Sequence, residues 1–290
     1  MNESGKAAGK GDDGTMCASL VRDGDHDRYL CGLFVPDALR PRYFAALAFN
    51  LELARIREQV SEPMLGLIRL QWWREAIEAL DGGRIRGHPV VEALAASGLH
   101  GTVGSAPLLA QIEARKRDLE PEPSADEGAL VDYARATGGG LARMMLAAVE
   151  AADDGAAERA ADAVGTAWAL LGIARAAPFQ GRHGLVLLPA PLLAQAGLDP
   201  HELHGGGGGD RLPAAIRPVA ERARDLLAEA RAVPGPLPSR AIPVLLPATL
   251  ADLHLRDLKR SGYDPNAASQ IRRGVGKPLR LAWYALARRY

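Results

Sequence analysis

One stretch of the sequence limits the possible folds more than any other. Residues 156–177, AAERAADAVGTAWALLGIARAA, are the longest run of uninterrupted helical character, and apolar side chains occur on all sides of it. A helix that is apolar all round is buried inside a larger structure. The chain has 290 residues, of which 48% are hydrophobic, so it has enough apolar surface to enclose this helix. The sequence therefore predicts a central helix surrounded by other helices.

The remaining segments also show helical periodicity. Apolar residues recur at intervals of three and four over 44–54 and 67–77. Because strands do not alternate with helices, we predict an all-α fold. Residues 26–290 are predicted to form one domain, and residues 1–25, rich in Gly, Lys and Asp, a disordered tail. Further helices are predicted near 90–97, 106–119, 126–150, 213–232, 244–261 and 277–290.

Charge and composition exclude several classes of function. Basic and acidic residues balance at 35 each, so nothing draws the whole chain to nucleic acid, and we predict no nucleic-acid partner. The two cysteines have neither metal-ligand nor disulfide-framework spacing. No apolar run approaches the ~18 residues of a membrane span. We expect a cytoplasmic protein, with the surface of the inner membrane open as a peripheral partner.

Four segments resemble the squalene/phytoene synthase family, whose enzymes join prenyl diphosphates head to head. In one of them, Arg175, Arg182, Gly184 and Pro189 fall on the family pattern without a gap. The resemblance implies a single-domain, isoprenoid-synthase-type helical bundle around a central cavity. The four segments are YFAALAFNLELARIRE at 43–58, DYARATGGGLARMM at 132–145, GTAWALLGIARAAPFQGRHGLVLLP at 165–189 and SGYDP at 261–265.

The chemistry implied by the resemblance needs two aspartate motifs on facing helices. Carboxylates four residues apart share one helix face, and two such faces hold Mg²⁺ against a diphosphate. Here the first motif falls at 54–58, which begins with Ala54 and keeps an acid only at Glu58. The second falls at 176–180, where Ala176 and Gln180 replace both acids. We therefore predict no metal site beyond Glu58 as a weak remnant, and no cofactor.

Proline 178 lies inside this second motif. A proline ring is disfavoured in a helix interior, so we expect Pro178 to end the central helix early.

The segment AFNLELARIREQVSEPMLGLIRLQWWREAI, residues 48–77, resembles a subgroup of the family that lacks the aspartates. That subgroup includes mitochondrial assembly factors of respiratory complex I. The resemblance implies a non-catalytic protein that acts as an assembly factor or as a helper binding a prenyl chain or lipid, with a membrane or membrane protein as partner. The alternative is an active prenyltransferase with relocated carboxylates, which would need Mg²⁺ and a prenyl diphosphate.

Nine residues are candidates for a ligand pocket. Guanidinium groups bind phosphate without a metal, so three arginines could hold a diphosphate; otherwise they pair with Glu52 or Glu58. Trp72 would line a prenyl groove or a partner surface, or else fill the core beside Trp73. Small residues at two motif positions would leave room for a cavity. The candidates are Asn50, Ala54, Glu58, Arg69, Trp72, Arg175, Ala176, Gln180 and Arg182.

Three further motifs have weaker functional meaning. His201 and His204 have the spacing of metal ligands but no evident third ligand. The glycines at 138–140 lack the features of a phosphate loop and are expected to permit close helix packing or a helix break. The helix at 277–290 is basic and carries aromatic residues. Such a helix either lies on an anionic membrane or packs on the domain.

Overall fold

The computed structural model describes residues 12–205, 208–271 and 276–290. These residues form helices and turns, with one isolated β-bridge between Ser124 and Pro189. The α-helices are α1 Asp12–Gly24, α2 His26–Gly32, α3 Arg40–Ala54, α4 Pro63–Asp81, α5 Pro89–Ala96, α6 Leu99–Val103, α7 Ser105–Ala114, α8 Glu127–Ala134, α9 Gly140–Ala148, α10 Gly155–Arg182, α11 Ala190–Gln195, α12 Pro200–His204, α13 Leu212–Arg231, α14 Ile242–Leu245, α15 Pro247–Arg260, α16 Pro265–Ser269 and α17 Gly276–Leu286.

The longest helix, α10, is the centre of the fold, as the sequence predicts. Asp154 caps its start, because its carboxylate accepts hydrogen bonds from the backbone N–H groups of Ala156 and Ala157 at 2.9 and 2.8 Å. The helix packs against α8, α9, α13, α15 and α16. Its buried residues extend from Ala157 to Gly181. The predicted all-α fold is confirmed.

The prediction that Pro178 ends this helix early is wrong. The helix continues through Pro178 to Arg182. Proline removes only one backbone donor, and both Pro178 and Ala177 are buried against neighbouring helices. Packing of the surrounding bundle therefore outweighs the local preference of proline for a helix end.

Glycines bring α10 into backbone contact with the segment before α9. Residues Arg135–Gly139 form one π-helical turn between α8 and α9. A Cβ on Gly138 would stand 2.3 Å from the carbonyl oxygen of Gly165, and a Cβ on Gly165 would stand 2.3 Å from that of Gly138. Only hydrogen atoms fit between these backbones. The predicted close helix packing at 138–140 is confirmed.

The predicted disordered tail is wrong for residues 12–24, which form α1. This helix packs against α3 and α5, and Cys17 and Val21 are fully buried. Few residues of the segment are apolar, but Met16, Cys17, Leu20 and Val21 are spaced so that they share one face. The composition of this segment therefore underestimates its tendency to form a packed helix. Residues 1–11 lie outside the described part of the chain.

No helix in the described ranges is long and apolar enough to cross a membrane.

Candidate functional site

A polar cleft opens where the start of α2 meets α10, α15 and α17. It consists of two adjoining cavities of about 470 and 390 Å³, and both are lined by His26, Arg175 and Lys277. The larger cavity extends to His254, and the smaller one to Trp168. The residues that define the polar cleft are Asp25, His26, Asp27, Arg175, His254 and Lys277.

Asp27 is the anionic centre of the polar cleft. Its two carboxylate oxygens accept hydrogen bonds from Nε2 of His254 at 2.8 Å and from Nζ of Lys277 at 2.5 Å. Burial by itself raises the pKa of Asp27, but the bonds from His254 and Lys277 outweigh it and hold the pKa well below its ordinary value. Asp27 is therefore ionised and ties α2 to both α15 and α17.

The neighbouring Asp25 is occupied by its own helix. Its carboxylate caps α2 by accepting the backbone N–H of Arg28 at 3.1 Å, and it also accepts from the Arg28 guanidinium. Both acids at the start of α2 are thus held by nearby groups.

Among the described residues that line the polar cleft, Arg175 is the cation that remains available. It lies on α10, lines both cavities, and forms no hydrogen bond or ion pair with any described residue. Burial by the cleft walls lowers its pKa, while the charges of Asp27 and Asp25 raise it. A guanidinium remains protonated at neutral pH under such conditions. The side chain can therefore receive an anionic group from a ligand.

The alternative that the candidate arginines pair with Glu52 or Glu58 is wrong. Within the described ranges neither acid forms an ion pair with any arginine; Arg69 instead donates to the side-chain carbonyl of Gln59. Arg182 is exposed and likewise has no carboxylate partner in this part of the chain. The sequence left open whether these arginines pair with acids, and it did not show which of them lies in a cleft.

Arg69 and Trp72 belong to a different cavity. A cavity of about 200 Å³ is lined by Arg69, Trp72, Trp73 and His88, among others, and contains no residue of the polar cleft. Trp73 is buried, which confirms its role as core filler, and its ring meets that of Trp72 edge to face at 5.3 Å. Trp72 is half-buried and also borders a groove of about 520 Å³ along α4. The structure does not bring these residues together with Arg175.

Asn50 lies in a buried polar network and lines neither part of the polar cleft. Its side-chain oxygen accepts from Nη2 of Arg115 at 3.1 Å, and Nη1 of Arg115 donates to Asp118 at 3.2 Å and to the Tyr133 hydroxyl at 3.0 Å. Burial and the charge of Asp118 raise the pKa of Tyr133. The network fixes α3 to the turn after α7 and to α8.

The two segments that correspond to the aspartate motifs lie at the end of α3 and near the end of α10. Ala54 is the last residue of α3, and Glu58 is exposed in the 3₁₀ turn that follows. Ala176 and Gln180 are half-buried on α10. The guanidinium of Arg57 lies close to Gly184, just beyond the end of α10. Its Nη2 atom is 2.8 Å from the position that a Cβ on residue 184 would occupy. A cation of the first segment therefore lies close to the turn that follows the second segment.

No metal-binding cluster is found in the described residues, meaning no group of three or more His, Cys, Asp or Glu side chains able to share an ion. The rings of His201 and His204 meet edge to face in the short helix α12, with ring centres 5.3 Å apart. They remain a pair without a third ligand. These side chains therefore provide no donor set for a metal ion.

Sequence reasoning missed the acids of the polar cleft and their partners. Asp25 carries a local signal, because an aspartate just before a helical run is a common cap. Asp27 carries none, since its partners His254 and Lys277 follow 227 and 250 positions later. Only the folded chain shows that these three side chains meet.

Comparison with known proteins places this bundle in a family. The family model for squalene/phytoene synthase matches residues 21–278. The chain belongs to the squalene/phytoene synthase family. The predicted resemblance is thereby confirmed, together with the isoprenoid-synthase-type fold.

Several similar proteins are known within this family. The bovine (Bos taurus) protein named NADH dehydrogenase (ubiquinone) complex I, assembly factor 6 is 27% identical over 285 residues, covering 98% of this chain and 85% of the relative. The homolog from Drosophila melanogaster is 29% identical over 288 residues, covering 94% of this chain and 84% of the relative. The alignments span nearly all of this chain.

Solved structures show the same fold. A dehydrosqualene synthase in complex with ligand superposes with a TM-score of 0.77 at 17% identity, covering 96% of this chain and 97% of the other. Squalene synthase HpnC from Alicyclobacillus acidocaldarius gives a TM-score of 0.72 at 23% identity, covering 88% and 95%. At these identities the superpositions bear on the fold alone.

Proposed function

We propose that this family member is a non-catalytic helper in the assembly of a respiratory NADH dehydrogenase complex, working at the inner face of a membrane. The observation that carries the proposal is the state of the four motif positions. Only one of them, Glu58, is acidic; Ala54, Ala176 and Gln180 supply no carboxylate. The names of the bovine and Drosophila relatives support the assembly role.

The electrostatics near the former motif positions support the absence of prenyl transfer. A metal-bridged diphosphate needs several carboxylates to offset the charge of the ions. Here Arg55 and Arg57 follow directly after α3, with guanidinium groups directed at Gly24 and Gly184. Cations within the first motif segment disfavour the binding of Mg²⁺ there. We propose no metal and no cofactor for the activity.

We also propose that the polar cleft accepts an anionic ligand without a metal. Arg175 favours this role, because it has no acidic partner among the described residues and faces a cavity of about 470 Å³. A volume of that size accommodates a phosphate-bearing headgroup with part of its chain. The ligand class we propose is a prenyl diphosphate or a phospholipid.

The assembly role is tested by deleting the gene in the organism that carries it. We expect the membranes to lose the fully assembled NADH dehydrogenase complex on native gels, together with NADH oxidation coupled to quinone. Re-expression of the wild-type chain should restore both. An unchanged amount of assembled complex in the deletion strain would overturn the assembly role.

The absence of catalysis is tested with purified protein and farnesyl diphosphate. Calorimetry with and without Mg²⁺ should give the same affinity, and the same samples should release no pyrophosphate. The matched variant Arg175→Gln should weaken binding, because it removes the charge and keeps most of the side-chain volume. Turnover that depends on Mg²⁺ would instead support the alternative, a prenyltransferase with relocated carboxylates.

A further inference from the structure

The outer side of α17 is an uncovered apolar surface. Leu279, Trp283 and Leu286 are 71%, 70% and 83% exposed, and their spacing of four and three residues puts them on one side of the helix. The opposite side is covered, because Leu281 is fully buried and Tyr284 packs beside it. The helix therefore has two apolar sides, and the domain covers only one.

The charged side chains that the segment itself carries are all of one sign. The segment 276–290 contains no aspartate or glutamate, and it contains four cations. Lys277 is held by Asp27, and Arg280 lies over the ring of Tyr284 at 5.2 Å. Arg288 and Arg289 follow the end of α17, are exposed, and have no acidic partner among the described residues. The apolar surface thus ends in two available guanidinium groups.

A basic pocket lies beside the same helix. A cavity of about 330 Å³ between α13, α15 and α17 is lined by Arg224, Arg256, Lys259 and Arg280. Two acids also line it, Glu221 and Asp252, of which Asp252 is paired with Arg231 at 2.8 Å. Arg224 is paired with Asp225 at 2.9 Å, so Arg256, Lys259 and Arg280 supply the remaining positive charge. Arg280 links the two features, because it lines this pocket and precedes Trp283 by three residues.

We propose that α17 docks this protein on an anionic membrane surface. Leu279, Trp283 and Leu286 enter the boundary between headgroups and acyl chains, where a tryptophan ring and long aliphatic side chains are favoured. Arg288 and Arg289, together with the basic pocket, contact lipid phosphates. The interaction surface goes beyond the assembly role, since purified protein and lipid suffice to detect it.

The charge pattern selects a membrane over a protein partner. On α4, Met64 and Ile68 are 63% and 60% exposed, but Glu62 directly precedes that helix and Glu75 and Glu78 lie on its surface. The surface of α17 has no such acids. A helix that is apolar and aromatic on one side, and whose own charges are all basic, complements a sheet of phosphates.

The test is co-sedimentation of the purified full chain with vesicles of phosphatidylglycerol in phosphatidylcholine, and of phosphatidylcholine alone. We expect binding to the anionic vesicles that decreases with added salt. The double variant Trp283→Ser with Leu286→Ser should bind about tenfold more weakly. The matched control, Met64→Ser with Ile68→Ser, removes equally exposed apolar groups from α4 and should bind like the wild type.

A second pair of variants separates charge from apolar contact. Arg288→Gln with Arg289→Gln should lower binding to anionic vesicles and reduce its dependence on salt. Circular dichroism checks that all variants fold, which is expected because the changed side chains are exposed. The proposal is overturned if the wild type binds neither kind of vesicle, if it binds neutral vesicles equally well, or if the Trp283 and Leu286 variant binds unchanged. These outcomes are independent of the gene-deletion result.

Discussion

The contact between Gly138 and Gly165 makes a sharp prediction about stability. In Gly165→Ala, the added methyl carbon would stand 2.3 Å from the carbonyl oxygen of Gly138 and 2.7 Å from Cβ of Ala142. Both distances are far below van der Waals contact, and the nearer atom belongs to the backbone of the π turn. That backbone cannot rotate away as a flexible side chain would. Relief therefore requires α10 to separate from the turn.

Two opposing terms set the magnitude. Alanine in a helix interior is favoured over glycine by about 1 kcal/mol. Forcing a methyl group into a packed interface costs about 1–3 kcal/mol, and more where backbone must move. We therefore expect Gly165→Ala to lower the free energy of unfolding by about 2 kcal/mol. Gly172, on the same helix, has nothing within 4 Å of the Cβ position, so Gly172→Ala should raise it by up to about 1 kcal/mol.

The assay is unfolding in guanidinium chloride followed by circular dichroism for the wild type and both variants. The two substitutions are chemically identical and lie on one helix, so their difference isolates the close contact. We expect the midpoints to fall in the order Gly172→Ala, wild type, Gly165→Ala. A midpoint for Gly165→Ala equal to or above that of Gly172→Ala would refute the argument.

Two further predictions concern buried charges. The low pKa of Asp27 means that its stabilising contribution is present above the ordinary value of 3.8 and is lost as the pH falls toward the folded-state pKa. Asp27→Asn should therefore lower the free energy of unfolding by about 2 kcal/mol at neutral pH. The difference in this free energy between variant and wild type should become smaller in acid. Midpoints of denaturant unfolding, measured across the pH range, check this. Arg115→Met should lower the free energy of unfolding by about 3 kcal/mol, because it leaves the buried Asp118 without the guanidinium that pairs with it. Tyr133→Phe should lower it by only about 1 kcal/mol, since one hydrogen-bonding hydroxyl is lost. Thermal melts of both variants show which loses more stability.

Much of the fold follows from local sequence patterns. The central helix, the helices near 90–97 and 213–232 and the close packing at 138–140 were all predictable, because each depends on periodicity or residue size within one segment. Two local predictions failed at α1 and Pro178. In both cases the surrounding helices decide the outcome: α1 is stabilised by α3 and α5, and Pro178 by the packing around α10.

The candidate site was predictable only in part. The loss of carboxylates at Ala54, Ala176 and Gln180 follows from the register of the family segments. The sequence does not predict that the candidate residues are divided between separate regions. Trp72 and Arg175 line different cavities, and this depends on how the helices pack. The sequence offers no sign that Asp27 holds a cation from α17, because residues so far apart have no spacing rule.

The position of Asp27 also has a consequence for the order of folding. Its two partners follow 227 and 250 positions later in the chain. At about 5–20 residues per second, roughly 12–50 s separate the synthesis of α2 from that of Lys277. Until His254 and then Lys277 have been made, the Asp27 carboxylate lacks the two hydrogen-bond donors that it has in the folded chain. The contacts that hold α2 to α15 and α17 can therefore form only after these two later helices have been made.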